Sequence, residues 1–269
     1  MRNRYTKNNN DPLISIITPT WNRRLWLPMT LQSLINQTYT NWECILVNDA
    51  GEDVQNIVDK FNDPRIKYFQ NEKNLDLAGT RNVALEKYSG DYGILLDDDD
   101  QLYPECLEFR LGRIKKLGVD VVYSRVLQVY YQLVNGQYQY YGDKIYWRSE
   151  FNKDLILLQN ISPCNGVMWS RRAQESAGKF DTSLTTSEDW AWWVEMSRSY
   201  DFYESYCVDS ECSFRMDNSQ MTGSRTGYTD HLPYLFAKWR KYAKNYKWVV
   251  ENQNNAIHAR GLNPSDYNL

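Results

Sequence analysis

From Leu13 to Tyr123, short apolar runs alternate with stretches of helical periodicity, and this alternation restricts the fold more than anything else in the chain. The runs at 13–18 (LISIIT), 42–47 (WECILV), 66–69, 92–96 and 119–123 are short and nearly continuous in apolar character, as buried strands are. Between them, 27–36, 54–61, 78–88 and 104–117 read as helices. Apolar residues at 54, 57, 58 and 61 mark one face of the second, and Pro104 opens the last. A βαβα order predicts an α/β fold with an open, mostly parallel sheet and helices on both faces.

Past Ser124 the pattern changes. Two polar-aromatic runs within 125–141 flank Asn135-Gly136, a hairpin signal. A helix is expected over 151–158, a strand over 166–170, an amphipathic helix near 187–199 and a strand over 211–216. An aromatic-basic helical segment follows over 231–254. With no internal repeat and no long linker, the halves are expected to share one sheet or a broad interface. The divisions expected are a flexible polar leader at 1–12, a first half at 13–124, a second at 125–227, and a C-terminal helical segment at 228–269.

Composition narrows the function. A formal charge of −3 over 269 residues argues against nucleic acid as a partner. No stretch reaches the roughly 20 apolar residues that span a bilayer, and the start carries no signal-peptide core. The 5 cysteines are scattered without a CxxC, which suits reduced thiols in a cytoplasmic protein. The 10 Trp and 21 Tyr are many, and such rings serve either a core or the flat faces of bases and sugars.

The apolar run Gly93-Ile94-Leu95-Leu96 ends in four aspartates, Asp97 to Asp100. If extension continued, Asp97 and Asp99 would share one side and Asp98 and Asp100 the other. So many carboxylates repel one another unless a cation or a raised pKa relieves them. Open α/β sheets bind ligands at the carboxyl ends of their strands. Hard oxygen ligands there suit Mg²⁺ or Mn²⁺ together with substrate phosphates. A solvated acidic turn is the plain alternative.

Other strand ends carry motifs in a fixed order. They are Pro19-Thr20-Trp21-Asn22-Arg23, Val47-Asn48-Asp49-Ala50-Gly51, Asn74 with Gly79-Thr80-Arg81-Asn82, the aspartates, Glu188-Asp189, and Phe214-Arg215. Together, over about residues 13–222, they resemble family 2 inverting glycosyltransferases of the GT-A fold. That resemblance implies a Rossmann-like open mixed sheet with helices on both faces, here with a nucleotide-sugar-binding half, an acceptor-binding half and the C-terminal helices. It also implies transfer of one sugar from a nucleotide-diphosphate donor with inversion, and a place in polysaccharide biosynthesis. Trp21 stands where the family has tyrosine, Asn48 where it commonly has aspartate, and Asp217 where it often has histidine.

Roles follow residue by residue from that resemblance. Pro19, Thr20, Trp21 and Asn22 would line the donor, with Trp21 stacking on the base. Asp49 would accept from a pyrimidine N3–H, which favours UDP or dTDP. Asp99 would bind the metal, and Asp97 and Asp98 the ribose or a metal-bound water. Arg81 offers a bidentate contact to phosphate or to the aspartates, or else is a surface helix arginine. Asp189 would be the base that takes the acceptor proton, although acids at a helix start also serve as caps. Glu188, Trp190 and Arg215 would support the site or meet the acceptor, a carbohydrate or a lipid-linked glycan. The run Lys238-Trp239-Arg240-Lys241-Tyr242 could make peripheral contact with the inner face of the membrane. Two rivals remain at this stage. One is a noncatalytic nucleotide-sugar or glycan-binding protein on the same fold. The other, a nucleotidyltransferase, needs a glycine-rich loop that Pro19–Arg24 lacks.

Overall fold

Every residue of strand β1 (Ile14–Thr20) is buried, because helices close over both faces of the sheet it belongs to. The computed structural model describes residues 11–146, 149–216 and 231–267, so most of the polar leader and Asp217 lie outside the described residues. After β1 come α1 (Leu27–Ile35), β2 (Trp42–Asn48), α2 (Gln55–Phe61), β3 (Ile66–Gln70), α3 (Asp76–Lys87) and β4 (Tyr92–Leu95). A two-residue β5 (Gln101–Leu102) precedes α4 (Cys106–Leu117), then β6 (Val121–Val134) and β7 (Gln137–Tyr146). The chain continues through β8 (Val167–Ser170), α5 (Arg171–Ala177), α6 (Glu188–Ser197) and β9 (Phe202–Arg215) to α7 (Leu232–Ala243) and α8 (Lys247–His258).

One nine-stranded sheet runs through both halves, in the order β3-β2-β1-β4-β8-β6-β9-β5, with β7 alongside β6. Its β3-β2-β1-β4 half is parallel, as the βαβα order requires. The remainder is mixed: β8 runs antiparallel to both β4 and β6. Strand alternation splits the core in two. Ile17, Ile45, Val47 and Leu95 face the layer containing α3, α6, α7 and α8. Ile14, Ile16, Leu46 and Ile94 face the layer of α1, α2 and α4.

Three expectations need revision. The 151–158 helix shrinks to one 3₁₀ turn at Leu155–Leu157, entered through the Asn152 side chain, which accepts from the Asp154 and Leu155 N–H groups. The 211–216 strand is the end of β9, which pairs with β6 along most of its length. The 231–254 helix breaks at Tyr246, whose φ of −120° and ψ of 85° are not helical. The first hairpin expectation stands in detail: Asn135 and Gly136 both have positive φ, 51° and 78°, as a type I′ turn demands.

Within the run 238–242 the tryptophan packs inward while Lys241 stays exposed. Trp239 is 0% exposed, Lys238 bonds Asp181, and Arg240 donates to Asn254. Among the described residues, no helix is long and apolar enough to cross a membrane.

Candidate functional site

The carboxyl ends of β1, β2 and β4 reach one edge of the sheet, and each opens into a loop named in the sequence. Register pairs Pro19 with Val47 and Thr20 with Asn48, so the first two loops leave side by side. Asn22, at a φ of 55°, accepts from the Glu52 N–H at 2.8 Å through its side-chain oxygen. Gly51 fits beneath this contact. A Cβ there would lie 2.9 Å from the Asn22 nitrogen and 3.0 Å from Trp21 Cδ1. Asn48, standing where the family often has an acid, ties the second loop by donating to Glu52 O (2.8 Å) and accepting from the Gly51 N–H (2.9 Å). Trp21 is 54% exposed. Asp49 is buried and already employed: Oδ1 accepts from Asn71 Nδ2 at 2.9 Å and from the Leu75 N–H at 2.8 Å. Asn74 donates to the Asp49 carbonyl, which pins the approach to α3.

The aspartates do not alternate faces as an extended strand would require. Extension stops at Leu95, and the Asp100 N–H bonds the Asp97 carbonyl at 3.1 Å, closing a turn. That turn swings Asp97 and Asp100 together. Ligand atoms of Asp97, Asp100 and Cys164 all lie within 4.8 Å of one another, and the Cys164 thiol donates to Asp97 Oδ2 at 3.3 Å. Asp98 is buried, and its Oδ2 lacks a well-aligned partner although the Thr20 hydroxyl sits beside it. Burial pushes the Asp98 carboxyl well above the ordinary range. Repulsion from Asp99 and Asp97 adds to this, and Arg23 opposes it. Asp99 is pushed up by burial and by Asp97 while Arg215, 2.7 Å away, pulls it back. Burial also raises Asp100, whose Oδ1 accepts from the Ser213 N–H at 2.9 Å. Concentrated negative charge with an orphan buried oxygen fits a divalent cation; oxygen donors favour Mg²⁺ or Mn²⁺.

Arg81 is not a surface residue. It is 1% exposed on α3 and spans the site, with Nη2 on Asp97 at 2.6 Å and Nη1 on Glu188. Burial works against its charge, but the two carboxylates overcome this and hold it firmly protonated. Through Arg81 the acid turn is joined to the start of α6. Ser187 precedes that helix in the left-handed region, φ 63°, and bends the chain so that Glu188 and Asp189 enter the site. Burial lifts Glu188 to about 7 despite Arg81. Asp189 is also raised by burial, with Arg81 opposing. Its Oδ1 takes the Trp190 N–H at 2.7 Å and its Oδ2 takes Asn160 Nδ2 at 3.2 Å. Trp190, Trp192 and Trp193 are all in the core, and the Trp190 indole N–H bonds Ile156 O at 2.6 Å. Arg215, 5.2 Å over the Trp26 ring, closes the far side against Asp99.

Some members of the site were not singled out from sequence. Cys164 and Asn160 come from segments with no motif of their own, and Arg23, the last residue of the first motif, was given no role. Behind them, the buried Arg110 pairs with Asp209 and donates to Asn165 O at 2.7 Å, which holds the turn bearing Cys164. The only local signal was Pro163-Cys164-Asn165-Gly166, a turn preceding an apolar run.

Comparison with known proteins agrees with this geometry. The profile of glycosyl transferase family 2 matches residues 15–174. WcaA of Escherichia coli (strain K12), described as a colanic acid biosynthesis glycosyl transferase, is 31% identical over 202 residues, covering 71% of this chain and 68% of that protein. WfgD of Escherichia coli, named a UDP-Glc:alpha-D-GlcNAc-diphosphoundecaprenol beta-1,3-glucosyltransferase, is 33% identical over 126 residues, 46% of this chain and 48% of its own length. The crystal structure of Staphylococcus aureus TarS 1-349 with UDP-GlcNAc superposes with a TM-score of 0.65 at 17% identity, over 91% of this chain and 79% of that one.

Proposed function

The chain belongs to glycosyl transferase family 2, and on that premise we propose that it moves one sugar from a UDP- or dTDP-linked donor to a glycan or lipid-linked acceptor, inverting the anomeric centre. The observation that carries this is the continuous chain Asp97–Arg81–Glu188, which couples an acidic turn at the sheet edge to the helix start bearing Asp189. One relative, WfgD, named for a UDP-Glc donor and a diphosphoundecaprenol acceptor, supports the substrate classes.

Trp21 offers its exposed indole to a base, and Asp49 accepts from the N3–H of uracil or thymine. Pro19, Thr20 and Asn22 shape the wall against which the nucleoside lies. Asp99 is our first cation ligand, Asp97 and Asp100 are next, and Asp98 holds the ribose. When bound, Mg²⁺ or Mn²⁺ supplies Lewis-acid stabilisation of the departing diphosphate. Asp189 takes the proton from the acceptor hydroxyl as that oxygen attacks the face opposite the leaving group. Its raised pKa makes it a stronger base than a solvated aspartate, and Asn160 with the Trp190 N–H fixes its direction. Glu188 keeps Arg81 in place between the two carboxylate groups. Arg215 pairs with Asp99 and restrains the carboxylate that would hold the cation. Contact with a membrane carrying the acceptor would fall to the exposed stretch beyond the run 238–242, where Tyr246 and Trp248 are each 44% exposed beside Lys244 and Lys247.

The test is a melting panel with UDP, dTDP, GDP and CDP, with and without Mn²⁺, followed by assay of UDP release from the preferred sugar nucleotide. A ligand that binds the native state raises the midpoint according to its concentration over Kd. A Mn²⁺-dependent shift with UDP or dTDP is expected, and it should vanish in Asp99→Ala. No shift with any diphosphate would overturn the donor site.

A further inference from the structure

We propose that a groove beyond the C-terminal end of α6, separate from the donor cleft, binds a pyranose unit of a glycan, so that the acceptor chain is held at a second point. The ligand class rests on the transferase reading; the groove itself does not. It encloses about 400 Å³, within the roughly 300–1,000 Å³ of small-molecule sites. Tyr123, Phe151, Phe202, Tyr203 and Tyr206 line it, with the Phe151 and Phe202 rings stacked 5.1 Å apart. A pyranose presents an apolar C–H face and a rim of hydroxyls. Tyrosine answers both, with a flat apolar ring and a polar tip.

The backbone is built to assemble this wall. In a regular strand, residues three apart point to opposite faces. Tyr203 and Tyr206 nevertheless line the same groove, 41% and 61% exposed. The β6–β9 register slips around Arg125, and Tyr206 takes a φ of 58°, a conformation that bulky side chains adopt only under constraint. Such a bulge re-aims a side chain. Here it turns a large ring out toward solvent, which serves no core.

The groove also holds an unmet acceptor. Glu204 lines it and is 6% exposed; Oε1 takes Arg125 Nε at 2.7 Å, while Oε2 has no hydrogen-bond partner. Oε2 is closed to solvent in this conformation, and an unpartnered buried acceptor is costly, so a sugar hydroxyl that displaces the covering side chain gains a hydrogen bond there. Position fits as well. Arg198, the cap of α6, donates to Lys153 O on the groove wall, and from there the chain runs back to Asn160, the partner of Asp189. Asp189 to Arg198 is a rise of about 13 Å at ~1.5 Å per residue. An oligosaccharide spans that distance; a monosaccharide does not.

Saturation-transfer NMR on the full chain tests this, with glucose, cellotetraose, maltotetraose and chitotetraose as probes against wild type, Tyr203→Ala and Tyr206→Gly. At least one tetrasaccharide should receive saturation from the aromatic protons. Tyr206→Gly should weaken its binding at least fivefold while the melting temperature holds or rises, since glycine accepts the positive φ. Failure of every tetrasaccharide to bind, or binding that neither variant weakens, would overturn the groove. The melting shift with UDP and Mn²⁺, read on the same samples, reports the donor cleft separately. An intact shift beside absent glycan binding leaves the transferase reading standing, and the reverse result removes the donor site alone.

Discussion

Replacing Arg81 by methionine keeps most of the side-chain volume and removes the charge that binds the two parts of the site. Glu188 is 4% exposed, so its carboxylate would be left buried without its partner, a change that costs about 3–5 kcal/mol when a buried pair is broken. The Asp97 side chain is 31% exposed, and solvent screens that pair, which contributes about 1 kcal/mol at most. We take about 4 kcal/mol in all. For a chain of this size, each kcal/mol moves Tm by roughly 2–4 °C, so a fall of about 10 °C is expected at pH 8. The loss must depend on pH. Glu188 has a folded pKa raised from 4.5 to about 7, so its protonated form is favoured in the native state. Its contribution to stability is full below pH 4.5 and declines as pH rises through 7, where Arg81 is needed to carry the charge. At pH 5.5 Glu188 is mostly neutral with or without Arg81, and the loss should shrink to about 3 °C. Differential scanning calorimetry of wild type and Arg81→Met at both pH values measures this. Arg81→Met/Glu188→Gln should recover most of the loss, because neither charge of the buried pair remains. A fall under about 2 °C at pH 8, or equal falls at the two pH values, would refute the reasoning.

Asp189→Asn should lower kcat by roughly 10²–10⁴ with the UDP dissociation constant within about twofold of wild type; single-turnover kinetics with isothermal titration separates the two, and a normal rate would remove the base. Trp21→Ala should weaken UDP by about 1 kcal/mol, close to fivefold, through lost stacking, and equal affinity by titration would discard that contact. Gly51→Ala places a Cβ 2.9 Å from the Asn22 nitrogen and must part the first two loops. UDP binding should fall while Tm drops by only a few degrees, and unchanged affinity would show that the loop pair does not form the nucleoside wall.

The parallel half of the sheet was legible because its strands are covered on both faces. Burial on both sides forces continuous apolar runs, and β1 and β2 are buried at every position. The second half was less legible. β8 had to be placed antiparallel between β4 and β6, and no local pattern encodes which strand a short apolar run will join. Of the 151–158 helix only the 3₁₀ turn Leu155–Leu157 forms, although Asn152 supplies a cap at its start. The inward packing of Trp239 was likewise invisible in a run that alternates basic and aromatic residues.

By itself the sequence determined the α/β class, the order of the loops at the sheet edge, and the acidic and aromatic residue types those loops carry. These depend on neighbours within a few positions: periodicity, turn chemistry and motif spacing. The meeting of Asp97 and Asp100 is local as well, a turn closed between residues three apart, which the extended reading missed. Only the tertiary structure brought Cys164, 67 residues away from Asp97, against that turn, and Glu188, 107 residues away from Arg81, onto its guanidinium. Side chains so far apart along the chain meet only because one sheet and its covering helices are packed together. Their protonation is therefore set by burial and by partners that no local reading of the sequence contains.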